Sequence, residues 1–349
     1  MNIQEAGART PGVSGATKKP YRGKRGGGEA KVRVYLEGRY RKLARGLPQT
    51  IFYCPKCKGR RRGCAFCGGY GKLTKDSVQE LIARKVLPRY KARMGKFHGA
   101  GREDVDVRML GGGRPFVFEV VQPRRFDVDL EELVEAINAY GKGRMEITAL
   151  RPVRRKRVAE LKETRSDKVY RALVVLDRVL PEDRLQGILG EPIVVTQRTP
   201  KRVAHRRADR DRTRKVEVLE ARAFRGPESQ PCLDLLVRCE HGTYVKEWIS
   251  GEEGRSRPSL GELLGAETDC LVLDVWEICG PFPSVETKGP EPCFDSVMEW
   301  EQLLREEDPW DLERLKDASP RGVTQAPTEV EPDPQEEQGG QEGDEGVLA

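Results

Sequence analysis

Gly101-Arg102-Glu103-Asp104-Val105-Asp106-Val107-Arg108 is the stretch on which the reading of this chain turns. The glycine and the charges that follow read as a turn, and the two valines open an apolar strand. An acid at such a turn can stay ionised and reachable. In an extended segment Asp104 and Asp106 share one parity, so alternation alone does not choose between them. Two later segments give the turn weight. Lys168-Val169-Tyr170-Arg171-Ala172 opens the apolar run at residues 173–176. Gly242-Thr243-Tyr244-Val245-Lys246 follows the apolar run at residues 233–237.

Those three segments, in that order, resemble pseudouridine synthases. Further phrases narrow the likeness: Phe97-His98-Gly99-Ala100 before the turn, Met109-Leu110-Gly111 and Gly113-Arg114-Pro115-Phe116 after it, and Gln197-Arg198-Thr199-Pro200-Lys201-Arg202-Val203. With them the chain resembles the archaeal-type tRNA pseudouridine synthases of the TΨC loop, the Pus10 family, over roughly residues 32–280. The resemblance implies an α+β pseudouridine synthase fold, with a mixed or antiparallel central sheet, flanking helices and basic arms. It implies an isomerase acting on uridines 54 and 55 of tRNA, with a flipped base and no cofactor for catalysis. Register against the Gly-Arg-x-Asp pattern selects Asp104 as nucleophile. Lys246 is then expected to pair with Asp104 and hold it ionised. Tyr170 gives the extruded uracil a stacking face, Tyr244 packs beneath it, and Arg102 touches phosphate or holds the loop. This chain departs from the pattern in three places. Glu103 stands where most synthases have Leu or Thr, which raises the local charge. Lys246 stands where many have Arg, losing the bidentate fork. Family members carry a THUMP-type RNA-binding domain ahead of the catalytic part, and about 50 residues precede Cys54. Either that domain is absent or a separate THUMP-type protein supplies it.

The 349 residues suffice for one large domain or two ordinary ones, 37% of them hydrophobic and 34% charged. No apolar run approaches the roughly 20 residues that span a bilayer. The first 30 residues lack the apolar centre of a signal peptide. No membrane partner is expected, and the chain reads as a cytoplasmic monomer. The net charge of +7 hides a division. Residues 301–349 hold 15 Asp/Glu against 4 Lys/Arg, a net of −11, which leaves 59 bases against 41 acids before them, a net of +18. Such a bias favours a polyanion.

Four segments are expected: a disordered basic, Gly-rich arm at 1–30, a strand with a cysteine module at 31–75, the catalytic domain at 76–304, and an acidic, largely disordered tail at 305–349. Ser77 with Glu80 predicts a helix cap before Pro88, and Asp129 with Glu132 a second, ending near Gly141. Strands are expected near residues 31–40, 116–121, 144–150, 169–176, 193–197, 215–221, 233–237 and 271–278. Short helices are expected at 260–264 and 294–304.

Cys54, Cys57, Cys64 and Cys67 form two CxxC pairs six residues apart, a spacing that suits a tetrahedral thiolate site and predicts a structural zinc in a small knuckle-like insertion. Nine cysteines in a chain this long, four so paired, fit a reduced compartment. Lys56, Lys58, Arg60, Arg61 and Arg62 favour thiolates and can then face RNA. Residues 198–215 hold nine Lys/Arg, including Arg198, Lys201, Arg202, Arg206 and Arg207, and read as a helical or looped arm along tRNA phosphates. A second basic cluster follows Arg151. The rival reading is a zinc-stabilised tRNA- or RNA-binding protein without catalysis. It explains the charge and the cysteines but not three motifs at once.

Overall fold

A computed structural model describes residues 32–60, 63–205, 207–226 and 229–280. The arm at 1–30, Arg206, the helix expected at 294–304 and the acidic tail lie outside the described residues. The strands are β1 (Arg33–Lys42), β2 (Met94–Gly99), β3 (Arg108–Val121), β4 (Met145–Ile147), β5 (Arg151–Pro152), β6 (Lys168–Leu176), β7 (Ile193–Arg198), β8 (Asp211–Arg225), β9 (Pro231–Cys239), β10 (Ser256–Arg257) and β11 (Thr268–Ile278). The helices are α1 (Val78–Arg89), α2 (Leu130–Gly141), α3 (Lys156–Glu163), α4 (Glu182–Gln186), α5 (Lys201–Ala204), α6 (Val245–Ser250) and α7 (Leu260–Leu264).

Among the described residues all eleven strands join one sheet, ordered β10-β7-β8-β9-β6-β11-β3-β1-β4, with β2 on β3 and β5 on β1. The architecture is α+β and the sheet is mixed. Most neighbours run antiparallel, but β11 pairs parallel with β3 through Asp274 opposite Arg108 and Val275 opposite Met109. That contact requires close approach: a Cβ on Gly111, at φ +51°, would lie 2.0 Å from the Trp276 carbonyl oxygen. β2 and β11 share one edge of β3, so residues 100–107 leave the sheet beside β11 and β6. Register then lines up Val237, Tyr170, Val275 and Met109 in one row across four strands. This row draws the three sequence segments together.

Helices hold the sheet from both faces. The Ser77 hydroxyl accepts from the Glu80 amide at 3.2 Å and starts α1 as expected, while Pro88 falls inside its last turn rather than beyond it. Asp129 caps α2 by accepting from the Glu131 and Glu132 amides at 2.9 and 3.1 Å. Such caps contribute about 1 kcal/mol each. Leu81, Ile82, Leu133 and Ile137 of these helices share a core with Leu36, Tyr40, Phe116 and Phe118. All are essentially fully buried, and burial stabilises by roughly 1.5–3 kcal/mol per large side chain. The alternate residues Tyr35 and Val117 face Leu161 of α3. At the other end α6 buries Trp248 completely, its indole nitrogen donating to the Pro258 carbonyl at 3.2 Å. The basic run at 198–215 is not one arm. It divides into α5, a turn, and the start of β8, whose ladder with β7 reaches Arg198 opposite Asp211. Alternation of exposed and half-buried positions along β8 makes that stretch a strand despite its charge.

Candidate active site

The Asp104 turn is held from below by the end of β1 and the residues after it. Lys42 is completely buried. Its ammonium donates to the carbonyls of Leu47, Asp104 and Val105 at 2.9, 2.9 and 3.0 Å. Burial lowers its pKa to about 8, partly opposed by Glu103 and Asp106. Gln49 donates to the Gly101 carbonyl at 3.0 Å and to the Tyr40 hydroxyl at 2.7 Å. Arg45 donates to the Asp106 carbonyl at 2.9 Å and to Asp274 at 2.7 Å. Gly101 takes φ +79° at the head of the turn, a left-handed conformation that favours glycine.

Glu103, expected to raise the charge around Asp104, does not. Its side chain is fully buried and turned inward, where Arg114 donates to it at 2.7 Å and Tyr40 at 2.8 Å. Burial pushes the Glu103 carboxyl up, but Arg114, Lys42 and the Tyr40 hydroxyl hold it below the usual range. Asp104 and Glu103 therefore point to opposite sides of one turn.

The cation on Asp104 is not the expected one. Lys246 pairs with Asp106, and Arg202 lies 3.0 Å from Asp104 Oδ2. The physical reason is placement. Lys246 sits in the first turn of α6, opposite Asp106, whereas α5 carries Arg202 over Asp104. Arg202 also pairs with the buried Glu247 of α6 and lies 5.7 Å from the centre of the Tyr244 ring. Burial would lower the pKa of Arg202, yet Glu247 and Asp104 hold it above its usual value. Lys246 follows the same pattern through Asp106. Sequence reading gave Arg202 only a phosphate contact. The motif around it was visible, but its reach across 98 positions was not.

Tyr244 precedes α6, and Gln197 of β7 grips its backbone, accepting from its amide at 2.9 Å and donating to its carbonyl at 3.0 Å. Tyr170 on β6 is partly buried. Burial pushes its phenol pKa up, Cys239, Asp104 and Glu103 add to this, and Arg114 opposes it. Tyr170, Tyr244, Asp104 and Asp106 thus border one region at the end of the central strands. Arg102 is exposed beside it. Farther out, Arg198 pairs with Asp209 and Lys201 with Glu253, both on the surface, and Arg207 is exposed.

The four cysteines converge. Cys54 and Cys64 sulfurs lie 3.8 Å apart and those of Cys57 and Cys67 3.7 Å. All four lie within 4.8 Å of one another. Tetrahedral zinc with bonds of about 2.3 Å requires sulfurs about 3.8 Å apart, so the donor set fits that ion. The Gly71 amide donates to Cys67 Sγ at 3.2 Å, as thiolate sites in knuckles require. Without a cation, burial and the neighbouring thiols raise the Cys67 pKa to about 11. A bound dication would reverse that shift.

An α+β protein with an accessible, arginine-paired carboxylate and a separate four-thiol cluster is the class these features define. The family described as "Pus10, C-terminal" matches residues 35–279, and the chain belongs to it. "tRNA pseudouridine synthase Pus10" of Methanothrix thermoacetophila is 46% identical over 248 residues, covering 71% of this chain and 54% of that protein. The same-named protein of Methanopyrus kandleri is 46% identical over 249 residues, 70% of this chain and 56% of that one. That of Korarchaeum cryptofilum is 43% identical over 248 residues, 70% and 65%. The chain spans from about half to just under two thirds of the length of these relatives. Among solved structures, the crystal structure of a Cbf5-Nop10-Gar1 complex aligns at 19% identity over 58% of this chain and 45% of that one, with a TM-score of 0.31. Among the described residues no helix is long and apolar enough to cross a membrane.

Proposed function

We propose that this chain isomerises uridine to pseudouridine at positions 54 and 55 of the tRNA TΨC loop, with Asp104 as nucleophile on a flipped base. The observation that carries the reading is the side-chain geometry of the Asp104 turn. Within a family whose relatives are named tRNA pseudouridine synthases, this chain sets Asp104 beside Arg202. The reaction breaks the N1–C1′ bond, turns the uracil, and joins C5 to C1′. N1 gains a proton and the C5 proton passes to water. An ionised carboxylate at the glycosidic bond is the group such chemistry needs. Arg202, 3.0 Å from Oδ2, aims Asp104. Tyr170 replaces the stacking that the uracil loses on leaving the RNA. The Lys246–Asp106 pair sets the adjacent wall.

Zinc supplies structure here rather than chemistry. Cys54, Cys57, Cys64 and Cys67 would hold it, and four cysteines without a disulfide suit a cytosolic setting. The proposed working unit is a monomer. A separate THUMP-type protein would supply further tRNA affinity.

The test uses unmodified tRNA transcript carrying tritium at uracil C5. Wild type should release tritium to water. Asp104→Asn should release it at least about 10³-fold more slowly while still binding tRNA. Arg202→Met should slow release by about ten- to hundredfold, because the carboxylate loses its aim. A wild type that binds tRNA but releases no tritium, alone or with a THUMP-type protein added, would leave the non-catalytic RNA-binding reading standing.

A further inference from the structure

Zinc accounts for the four thiols of the cysteine module but not for its surface. Four of the ten large hydrophobic side chains exposed among the described residues lie between positions 53 and 73. Tyr70 is 74% exposed and Phe66 50%. Residues 51–75 hold seven Lys/Arg and no Asp or Glu.

The two rings are presented rather than left over. Tyr70 stands between Gly69 and Gly71, at φ +79° and +76°. Its amide donates to the Cys67 carbonyl at 3.0 Å, and that of Gly71 to Cys67 Sγ at 3.2 Å. The tip of the second knuckle is therefore pinned on both sides of the ring. Phe66 sits in a single 3-10 turn at Ala65–Cys67, closed by Gly68 at φ +56°. Tyr53 differs: its ring covers Gly59, where a Cβ would come within 3.0 Å of it. It packs the first knuckle, whereas Tyr70 and Phe66 face outward on fixed backbone.

We propose that the cysteine module is a nucleobase-stacking surface. Tyr70 and Phe66 receive unpaired bases of the tRNA, and Lys56, Lys58 and Arg60 hold the flanking phosphates. The inference rests on reading the chain as a tRNA-modifying enzyme and adds a second contact to it. Flat rings in a basic segment whose own residues carry no acid are the pairing that single-stranded RNA takes, because every base has a stacking face and every link a negative charge. Rings already fixed on a metal knuckle lose little entropy when a base lands on them. The placement agrees. The module leaves the chain just after Gln49, which bonds the Gly101 carbonyl at the head of the Asp104 turn. Cys54 is five residues on, at most about 18 Å of chain. One bound RNA can meet both.

The test measures the dissociation constant of unmodified tRNA transcript across a salt series, in an Asp104→Asn background so that turnover does not intrude. Tyr70→Ala and Phe66→Ala should each weaken binding by about 5- to 100-fold, with an unchanged slope of log Kd against log salt. Tyr70→Trp should restore affinity and Tyr70→Leu should not, which keeps the result readable if an alanine variant unfolds. Zinc content and Tm of each variant check the fold. Joint change of Lys56, Lys58 and Arg60 to Gln should instead flatten the salt slope by about 2–3. Equal affinity of parent and ring variants overturns the proposal and leaves the rings to a protein partner. A parent that binds no tRNA defeats the tRNA-modifying reading itself, a separate failure.

Discussion

The two sides of Asp104 are built from the same residue types used in opposite ways. On the sheet side, Lys42, Arg45, Glu103, Arg108, Arg114 and Asp274 are all buried. Their partners include backbone carbonyls of the turn, one another, the Tyr40 hydroxyl and the Leu47 and Leu273 carbonyls. Arg108 and Arg45 both reach Asp274, whose carboxyl burial pushes up but the two guanidinium groups hold down at about 2. On the arm side, Arg198, Lys201, Asp209 and Glu253 pair while exposed. Buried charge cannot be exchanged for water or ligand, so it fixes the backbone beneath Asp104. Exposed pairs are cheap to open, so phosphate can replace their acids. Arg202 stands between the two sides, mostly buried yet reaching the accessible carboxylate of Asp104.

The sharpest way to break this contrast is Glu103→Gln. It leaves Arg114, 1% exposed, without its countercharge. Loss of one member of a buried pair costs about 3–5 kcal/mol. Urea unfolding should show a loss of that size. A loss under about 1 kcal/mol would mean that water reaches Arg114 and that the sheet side is no more rigid than the arm.

Lys42 gives the next effect, through pH. Burial lowers its folded-state pKa from 10.5 to about 8, with Glu103 and Asp106 opposing and Arg45 and Arg114 assisting. Between these two values the unfolded chain binds more protons than the folded one. Stability from this group therefore rises with pH across the window from about 8 to 10.5, and below it the full penalty of a buried charge is present. The rise amounts to about 3 kcal/mol. The check is the difference between wild type and Lys42→Met in unfolding free energy at the two ends of that window. The variant should lack this gain, whatever its absolute stability. Parallel pH curves would show that Lys42 reaches solvent.

Much of this was legible in the chain. Ser77 with Glu80 and Asp129 with Glu132 mark helix starts by local hydrogen bonding, which needs no tertiary information. The cysteine spacing encodes its own convergence. Lys42 carried a signal that charge concealed: it shares the parity of Leu36 and Tyr40 on β1 and so faces inward. The choice of carboxylate was not legible. Asp104 and Asp106 are two residues apart, and which one takes Lys246 or Arg202 depends on a few ångströms set by α5 and α6. The parallel contact of β11 with β3 was also hidden, since pairing direction rests on topology rather than residue type. The basic run at 198–215 misled because nine cations look like an arm when the strand alternation beneath them is weak.

The smallest effect belongs to the arm. Asp209 receives Arg198 and Arg255, each at 2.8 Å, beside an open cleft of about 500 Å³ lined by Arg198, Lys201, Arg255 and Arg257 against Asp211 and Glu253. Arg198 and then Arg255 hold the Asp209 carboxyl below its usual range, so it is ionised at neutral pH. Asp209→Asn removes that charge and releases both guanidinium groups toward the cleft. Stability should change by less than about 1 kcal/mol, as for other exposed pairs. Affinity for tRNA should rise by about two- to fivefold at low salt, with a salt slope steeper by about 1. The slope separates the two uses of charge: it reports cations that meet phosphate, and no change on the sheet side should move it. Destabilisation beyond about 2 kcal/mol with an unchanged slope would put Asp209 with Glu103, as a fixed part of the scaffold rather than an acid that RNA displaces.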